Sequence, residues 1–306
     1  MRPSRRDTPI RGLDDVRAVI LLAGQVGRSP LADGAGRSLL DLPVGDSRRL
    51  IDLWAEQLEQ CAAAHGIERI AVCISVDRGG RMPELITRTA SSRVEFALMR
   101  DPTEYRGTAG VVSDVTRGYD GEARVLVAAA HQVMREPLAR VVGELARHDE
   151  AVSIVPHTGG ELAGMFLLRC ARLHDVAEVG FVDLKEQAIP GARGHGPLHA
   201  VHREPGASLP IRTLEEYIDA LRAIHAVARG DGARPAADPF AETWEPAFAI
   251  VEPGAQVGDG AFLQDSVVLD GAVVGRGAIL ARSLVCSGAV VPAGECVVDR
   301  IVTGRP

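Results

Sequence analysis

Apolar residues recur along this chain in two different rhythms. Over the first two thirds, short apolar runs alternate with segments whose apolar residues return every three or four positions. AVILLA (18–23), RIAVCIS (69–75), VEFALM (94–99), RVLVAAA (124–130) and AVSIV (151–155) are continuous enough to read as strands buried on both faces. Between them, Leu50, Trp54, Leu58 and Cys61, and later Leu138, Val141, Val142 and Leu145, keep helical spacing. Trp54 sits on that apolar stripe and is expected in the core. Thr213 and Glu216 form a capping-box pattern ahead of a helix carrying Tyr217, Leu221 and Ile224. Alternation of this kind predicts an α/β fold, a mixed and mostly parallel sheet flanked by helices.

The second rhythm occupies the end of the chain. In blocks of 17, residues 252–302 read EPGAQVGDGAFLQDSVV, LDGAVVGRGAILARSLV and CSGAVVPAGECVVDRIV. Gly254, Gly271 and Gly288 align, as do Val257, Val274 and Val291, then Leu263, Leu280 and Val297. The aliphatic positions step by six, six and five residues. Such a period predicts stacked triangular coils, a short three-coil left-handed parallel β-helix of hexapeptide type. The aliphatic residue points inward and glycine permits the corner. β-Helices of this kind serve both as acyltransferases and as structural modules. Acyl transfer needs a positioned general base, and residues 249–306 contain no histidine, which favours the structural role. The expected organisation is a disordered tail (1–16), an α/β domain (17–229), a Pro/Gly/Ala-rich linker (230–248) and the β-helix (249–306).

Composition narrows the function classes. A formal charge of −7 lacks the basic excess that nucleic acid or an anionic membrane would require. Five scattered cysteines without a CxxC pair fit reduced thiols better than disulfides or a zinc site. The basic start MRPSRRDTPIRG is followed by an apolar run of only six residues, short of a signal core or membrane span. A soluble cytoplasmic protein is expected.

Candidate chemistry centres on the loop after the first strand, LLAGQVGRSPLADGAGRSLLDLPVG. In open α/β sheets ligands bind at the carboxyl ends of strands. Gly24, Gly27 and Arg28 there can turn backbone amides and a guanidinium toward phosphates. The loop is neither GxGxxG nor a P-loop, and an ordinary tight strand-to-helix turn accounts for it equally well.

Several segments together carry a family resemblance. AVILLAGQVGR is similar to AVILAGGxGTR, RSLLDLPVG to PKPLLPVGG, and RGTAG (106–110) to LGTAG. GFVDLKEQAIP (180–190) is similar to FxDxxEDxIP, and IRTLEEYIDA (211–220) to DIGTPEDYLEA. The chain thus resembles the sugar-phosphate nucleotidyltransferases, or nucleotide-sugar pyrophosphorylases, with a β-helix tail. The mannose-1-phosphate guanylyltransferase and glucose-1-phosphate nucleotidyltransferase branches are the most similar. The resemblance implies a Rossmann-like sheet and a nucleotide held by Ala23, Gly24, Gln25, Gly27, Arg28, Gly107, Thr108 and Ala109. It places Arg28 and Arg37 in catalytic positions, Arg37 standing where the family has lysine. Two family aspartates bind Mg²⁺ while a sugar 1-phosphate displaces pyrophosphate in line.

Here the chain departs from the pattern. Val26 replaces a loop glycine, and the two metal aspartates correspond to His131 and Pro210. Imidazole is a poor ligand for Mg²⁺, which prefers oxygen, and proline ligates nothing. Only nine residues separate Val155 from Met165, where the family carries a sugar-binding insertion. These losses favour a catalytically impaired nucleotide- or nucleotide-sugar-binding, regulatory or scaffold subunit, either a homo-oligomer or paired with an active nucleotidyltransferase. An active enzyme making an NDP-sugar with Mg²⁺ is the alternative. His131 is read chiefly as a strand-end residue, His195, His199 and His202 as a surface cluster rather than a metal site, and Asp114 as part of a helix's polar face. Asp183 and Glu186 are the best surviving carboxylates near the expected cleft.

Overall fold

A computed structural model describes residues 13–24, 29–45, 47–84, 93–101, 106–147, 150–156, 162–192, 198–204, 206–228 and 248–304. The first strand, β1 (Val16–Leu22), leads into α1 (Pro30–Ala35) and a small hairpin of β2 (Pro43–Gly45) and β3 (Arg48–Arg49). Then come α2 (Leu50–Ala64), β4 (Ile70–Val76), β5 (Val94–Arg100), α3 (Gly107–Thr116), β6 (Arg124–Ala129) and β7 (Gln132–Met134). The α/β part ends with α4 (Leu138–Leu145), β8 (Val152–Pro156), β9 (Leu162–Arg169), α5 (Ala171–His174), α6 (Ile189–Ala192), β10 (Leu198–Ala200), β11 (Ser208–Pro210) and α7 (Leu214–Ala228).

Seven strands form one sheet in the order β10-β8-β9-β6-β1-β4-β5, in which β9 alone runs antiparallel to its neighbours. All five expected strands are present; β9 and β10 are additions that no apolar run had signalled. Period-two alternation explains why β1 is continuously apolar. Val19 and Leu21 enter a core built with α2, α4 and α7, whereas Ala18 and Ile20 enter a second core with α3 and α5. Trp54 is 2 % exposed, and its indole N–H donates to the Ala130 carbonyl at 2.7 Å. The capping box of α7 is reciprocal: Glu216 N–H donates to Thr213 Oγ1 at 3.2 Å and Thr213 N–H to Glu216 Oε2 at 3.3 Å.

Residues 13–16, expected in the N-terminal tail, are part of the fold. Leu13 is buried and Asp15 receives both arms of the buried Arg124 guanidinium at 2.6 Å, so chain order begins before residue 16. Residues 1–12 and 229–247, which contain the rest of the tail and nearly all of the expected linker, lie outside the described residues.

Residues 249–302 form three parallel sheets of two- and three-residue strands. Ile250 faces Val267, Val267 faces Leu284 and Leu284 faces Ile301, each step being 17 residues. The aligned valines Val257, Val274 and Val291 pair in the same register, as do Leu263, Leu280 and Val297. Gly260, Gly277 and Gly294 take φ of +73°, +66° and +71° at one corner. Another corner holds Asp265, Arg282 and Asp299 at φ of +46°, +47° and +53°, left-handed positions that sequence had not flagged.

These repeats pack directly on the α/β part. Phe248, Val267, Leu284 and Cys286 share one apolar cluster with Leu40, Val44 and Leu221. The Arg222 guanidinium donates twice to Asp265 Oδ2, at 3.0 and 2.8 Å, and His225 stacks on Phe248 with ring centroids 5.1 Å apart. Beneath this contact, the fully buried Tyr217 hydroxyl donates to the Pro43 carbonyl at 2.5 Å. No described helix is long and apolar enough to cross a membrane.

Tyr217→Phe removes that donor and leaves the Pro43 carbonyl buried without a partner. Urea denaturation should show a loss of about 1–2 kcal/mol with an unchanged slope.

Candidate functional site

Parallel pairing of β1 with β4 and β6 brings the carboxyl ends of three strands to one edge. Ala23 continues β1, its N–H donating to the Ser75 carbonyl at 2.8 Å, and Ala130 continues β6 by donating to Leu22 at 2.9 Å. A Cβ on Gly24 would stand 3.2 Å from both Cβ and N of Asp77, so close packing against β4 explains this glycine. Gln25, Gly27 and Arg28, with Val26, lie outside the described residues. The chain returns at Ser29, whose hydroxyl caps α1 by accepting from Ala32 N–H at 3.2 Å and donates to the Arg212 carbonyl at 2.9 Å.

His131 and Pro210, far apart in sequence, are neighbours here. β7 and β11 pair antiparallel with Gln132 opposite Pro210, and Ile211 N–H donates to the His131 carbonyl at 2.8 Å. Burial pushes the His131 imidazole down to about 4, helped by the positive charges of Arg212 and Lys185 and opposed by Glu216. It is neutral at pH 7, and its Nδ1 has no hydrogen-bond partner among the described residues. Lys185 is the single lysine of the chain, the other basic side chains being arginine. Glu216 accepts from the Arg212 guanidinium at 2.5 Å and from Arg212 N–H at 2.8 Å; these contacts hold its carboxyl below the usual range despite burial. No group of three metal-ligating side chains occurs among the described residues. His199 and His202 are among these residues, whereas His195 lies outside them.

Solved structures give this arrangement a relative. The chain is similar to a Bacillus anthracis protein assigned as a glucose-1-phosphate thymidylyltransferase, crystallised in complex with sucrose. The TM-score is 0.53 at 15 % identity, over 72 % of this chain and 98 % of that one. The fold is nucleotidyltransferase-like. At that identity the likeness is one of fold alone, and neither a family model nor a curated protein matches the sequence.

Within this fold the remaining expected residues are engaged structurally. Gly107 has φ of +68°, and a Cβ there would fall 2.4 Å from the Val182 carbonyl oxygen. Ala109 N–H donates to that carbonyl at 3.0 Å; Thr108 Oγ1 donates to Asp183 Oδ2 at 3.1 Å and accepts from Leu184 N–H at 2.8 Å. The RGTAG and GFVDL segments therefore clasp each other. Asp183 also caps the following π turn through Lys185 and Glu186 N–H. Asp114 is the bidentate partner of the buried Arg106 guanidinium, at 3.0 and 2.9 Å.

Arg37 corrects an expectation. It does not face the strand ends but grips Glu252 of the repeats bidentately, at 2.8 and 3.1 Å, and donates to Ser287 Oγ at 2.9 Å. The sequence offered no sign of this, because its partners lie more than 200 residues away.

Two carboxylates escaped sequence reasoning. Asp77 follows β4 directly and Asp101 follows β5 directly, at the same sheet edge. Burial raises both above the ordinary carboxylate range; Asp77 raises Asp101 further, while the Ser75 hydroxyl donates to Asp101 and partly offsets this. The signal was an acidic residue ending each apolar run, IAVCISV-D and VEFALMR-D.

Gly107→Ala should destabilise the protein by about 2–3 kcal/mol in chemical denaturation, from a strained φ and an unavoidable clash with backbone. His131 supplies a pH prediction. Folded, it takes its proton near 4, against 6.5 unfolded, so between these values the unfolded chain binds more proton. Its contribution is complete above 6.5 and declines as pH falls toward 4, by up to about 3 kcal/mol. His131→Gln should abolish this decline, read as the difference in unfolding free energy between the two proteins at about pH 7 and about pH 4.5.

Proposed function

We propose that this protein is a nucleotide- or nucleotide-sugar-binding member of the sugar-1-phosphate nucleotidyltransferase group that has lost metal-dependent transfer. In this reading residues 17–229 bind the ligand, 230–248 link, and 249–306 form a left-handed β-helix serving as a structural module. The protein works in the cytoplasm as a regulatory or scaffold subunit, self-associated or paired with an active nucleotidyltransferase.

One observation carries the proposal. The two positions that the resemblance assigns to Mg²⁺ ligands are side by side, joined by the Ile211–His131 hydrogen bond, and hold an imidazole and a prolyl ring. Around them, Glu216 is bound to Arg212 and Asp183 to Thr108 and two backbone amides. Mg²⁺ prefers hard oxygen ligands and keeps near-ideal octahedral geometry, which this set does not offer. The positive charge of Lys185 near His131 still suits a phosphate without metal, Arg212 being already paired with Glu216. On the resemblance, Arg28 contributes a second cation.

A second reading rests on the half-buried pair Asp77 and Asp101. Two carboxylates at strand ends are the oxygen donors an active enzyme with a rearranged metal site would use.

A thermal-shift panel of nucleoside triphosphates and nucleotide sugars, each with Mg²⁺ or EDTA, separates the readings. We expect one ligand to raise Tm equally in both, by the equivalent of about 2.7 kcal/mol at 100 times its Kd. Arg28→Ala should reduce that shift, His131→Ala should leave it unchanged, and pyrophosphate release should stay at background. Mg²⁺-dependent pyrophosphate release that disappears in Asp101→Asn would sink the proposal and establish the alternative.

A further inference from the structure

A cavity of about 1000 Å³ lies between α2, β7 and the segment after it, residues 202–204 and 206–207, and the last turns of α7. Gln132 lines this cavity together with Val133, Met134 and Arg135, whereas His131, one residue earlier, does not. The two are therefore separate places that share one stretch of backbone.

The lining has an excess of donors. Gln132 is 5 % exposed, yet its amide has no hydrogen-bond partner among the described residues, and its Nε2 is fully shielded. An orphaned buried amide is destabilising, and folded proteins rarely keep one without use. Beside it, Arg135 lines the cavity without an ion pair among the described residues. Gln57 accepts from Leu138 N–H at 2.9 Å through Oε1, leaving Nε2 as a further donor. Two of the three lining carboxylates have cations: Glu56 has Arg48 at 3.4 Å, and Glu136 has Arg203 at 2.6 Å as well as Arg140. An orphaned amide and a guanidinium without an ion pair among the described residues, beside carboxylates that already face arginines, favour an oxyanion. Trp54 offers no open face, being 2 % exposed, so a nucleobase has no indole to stack on here.

We propose that this cavity is a second ligand site, distinct from the strand-end cleft, for a small hydroxylated organic anion bearing a carboxylate or phosphate. Arg135 holds the anionic group and Gln132 hydrogen-bonds its oxygens. The site is independent of whether the cleft is catalytic.

Isothermal titration of the full-length protein with glucose 6-phosphate, gluconate and glucose tests this and separates the phosphate source from the carboxylate one. We expect at least one of the two anions to bind with Kd below about 1 mM, and glucose to bind at least tenfold more weakly. Arg135→Ala, at an exposed position, should weaken the anion at least tenfold. Gln132→Leu should weaken it similarly while raising Tm, because it removes an unsatisfied amide at nearly constant volume. Absence of binding by both anions at about 10 mM, equal binding of glucose, or unchanged affinity in Arg135→Ala would overturn the proposal. A lower Tm for Gln132→Leu with unchanged affinity would also overturn it, marking the amide as structural.

Discussion

Parallel pairing of β1 on both sides, with β4 and with β6, is the constraint on which the rest of the molecule depends. A strand hydrogen-bonded along both edges and buried on both faces has no freedom of register. Its carboxyl end must lie level with those of its neighbours, with strands about 4.8 Å apart. Gly24, Asp77 and His131 are consequently gathered at one edge although more than 100 residues separate the first from the last. Asp101 joins them through the parallel pairing of β5 on β4. The chemistry of that edge is set by which residue happens to end each strand.

The repeats hold this edge from the far side. α1 starts at Ser29, tied to Arg212, and runs toward the repeats, where a Cβ on Gly34 would stand 2.7 Å from Ile301 Cγ2. Arg37 then fastens the end of the segment to Glu252 and Ser287. Charge that would serve a phosphate in an open cleft is here part of an ion pair whose partners are only 23 and 15 % exposed. Arg222 with Asp265, and Tyr217 with Pro43, fix α7 in the same contact.

Electrostatics at the edge separate binding from transfer. A buried imidazole next to two cations stays neutral, because protonating it would add a third positive charge in a poorly solvated place. It neither draws in a hard divalent cation nor neutralises developing negative charge, the two services phosphoryl transfer requires. The carboxylates nearest it are occupied by arginine and by backbone amides, whereas the raised pair, Asp77 and Asp101, belongs to the β4–β5 side. Positive charge and hydrogen-bonding capacity are what remain for a ligand.

Element type was legible from sequence wherever one face or one repeat dominated. The five apolar runs became five strands, Trp54 and the α2 stripe became core, Thr213–Glu216 became a capping box, and the 17-residue period became the strand register. Those signals are local: periodicity and caps act within a few turns of the chain. β9 escaped notice because its apolar run, Met165–Leu168, is only four residues long. The diversion of Arg37, the clasp of Thr108 on Asp183, the depressed basicity of His131 and the pairing of positions 131 and 211 are contacts across 75 to 215 residues or consequences of burial. Sequence alone determined five of the strands, the helices α2, α4 and α7, and the repeat. Only the tertiary structure decided which charges are free, since a side chain's partners and its loss of water exist only once distant segments have packed.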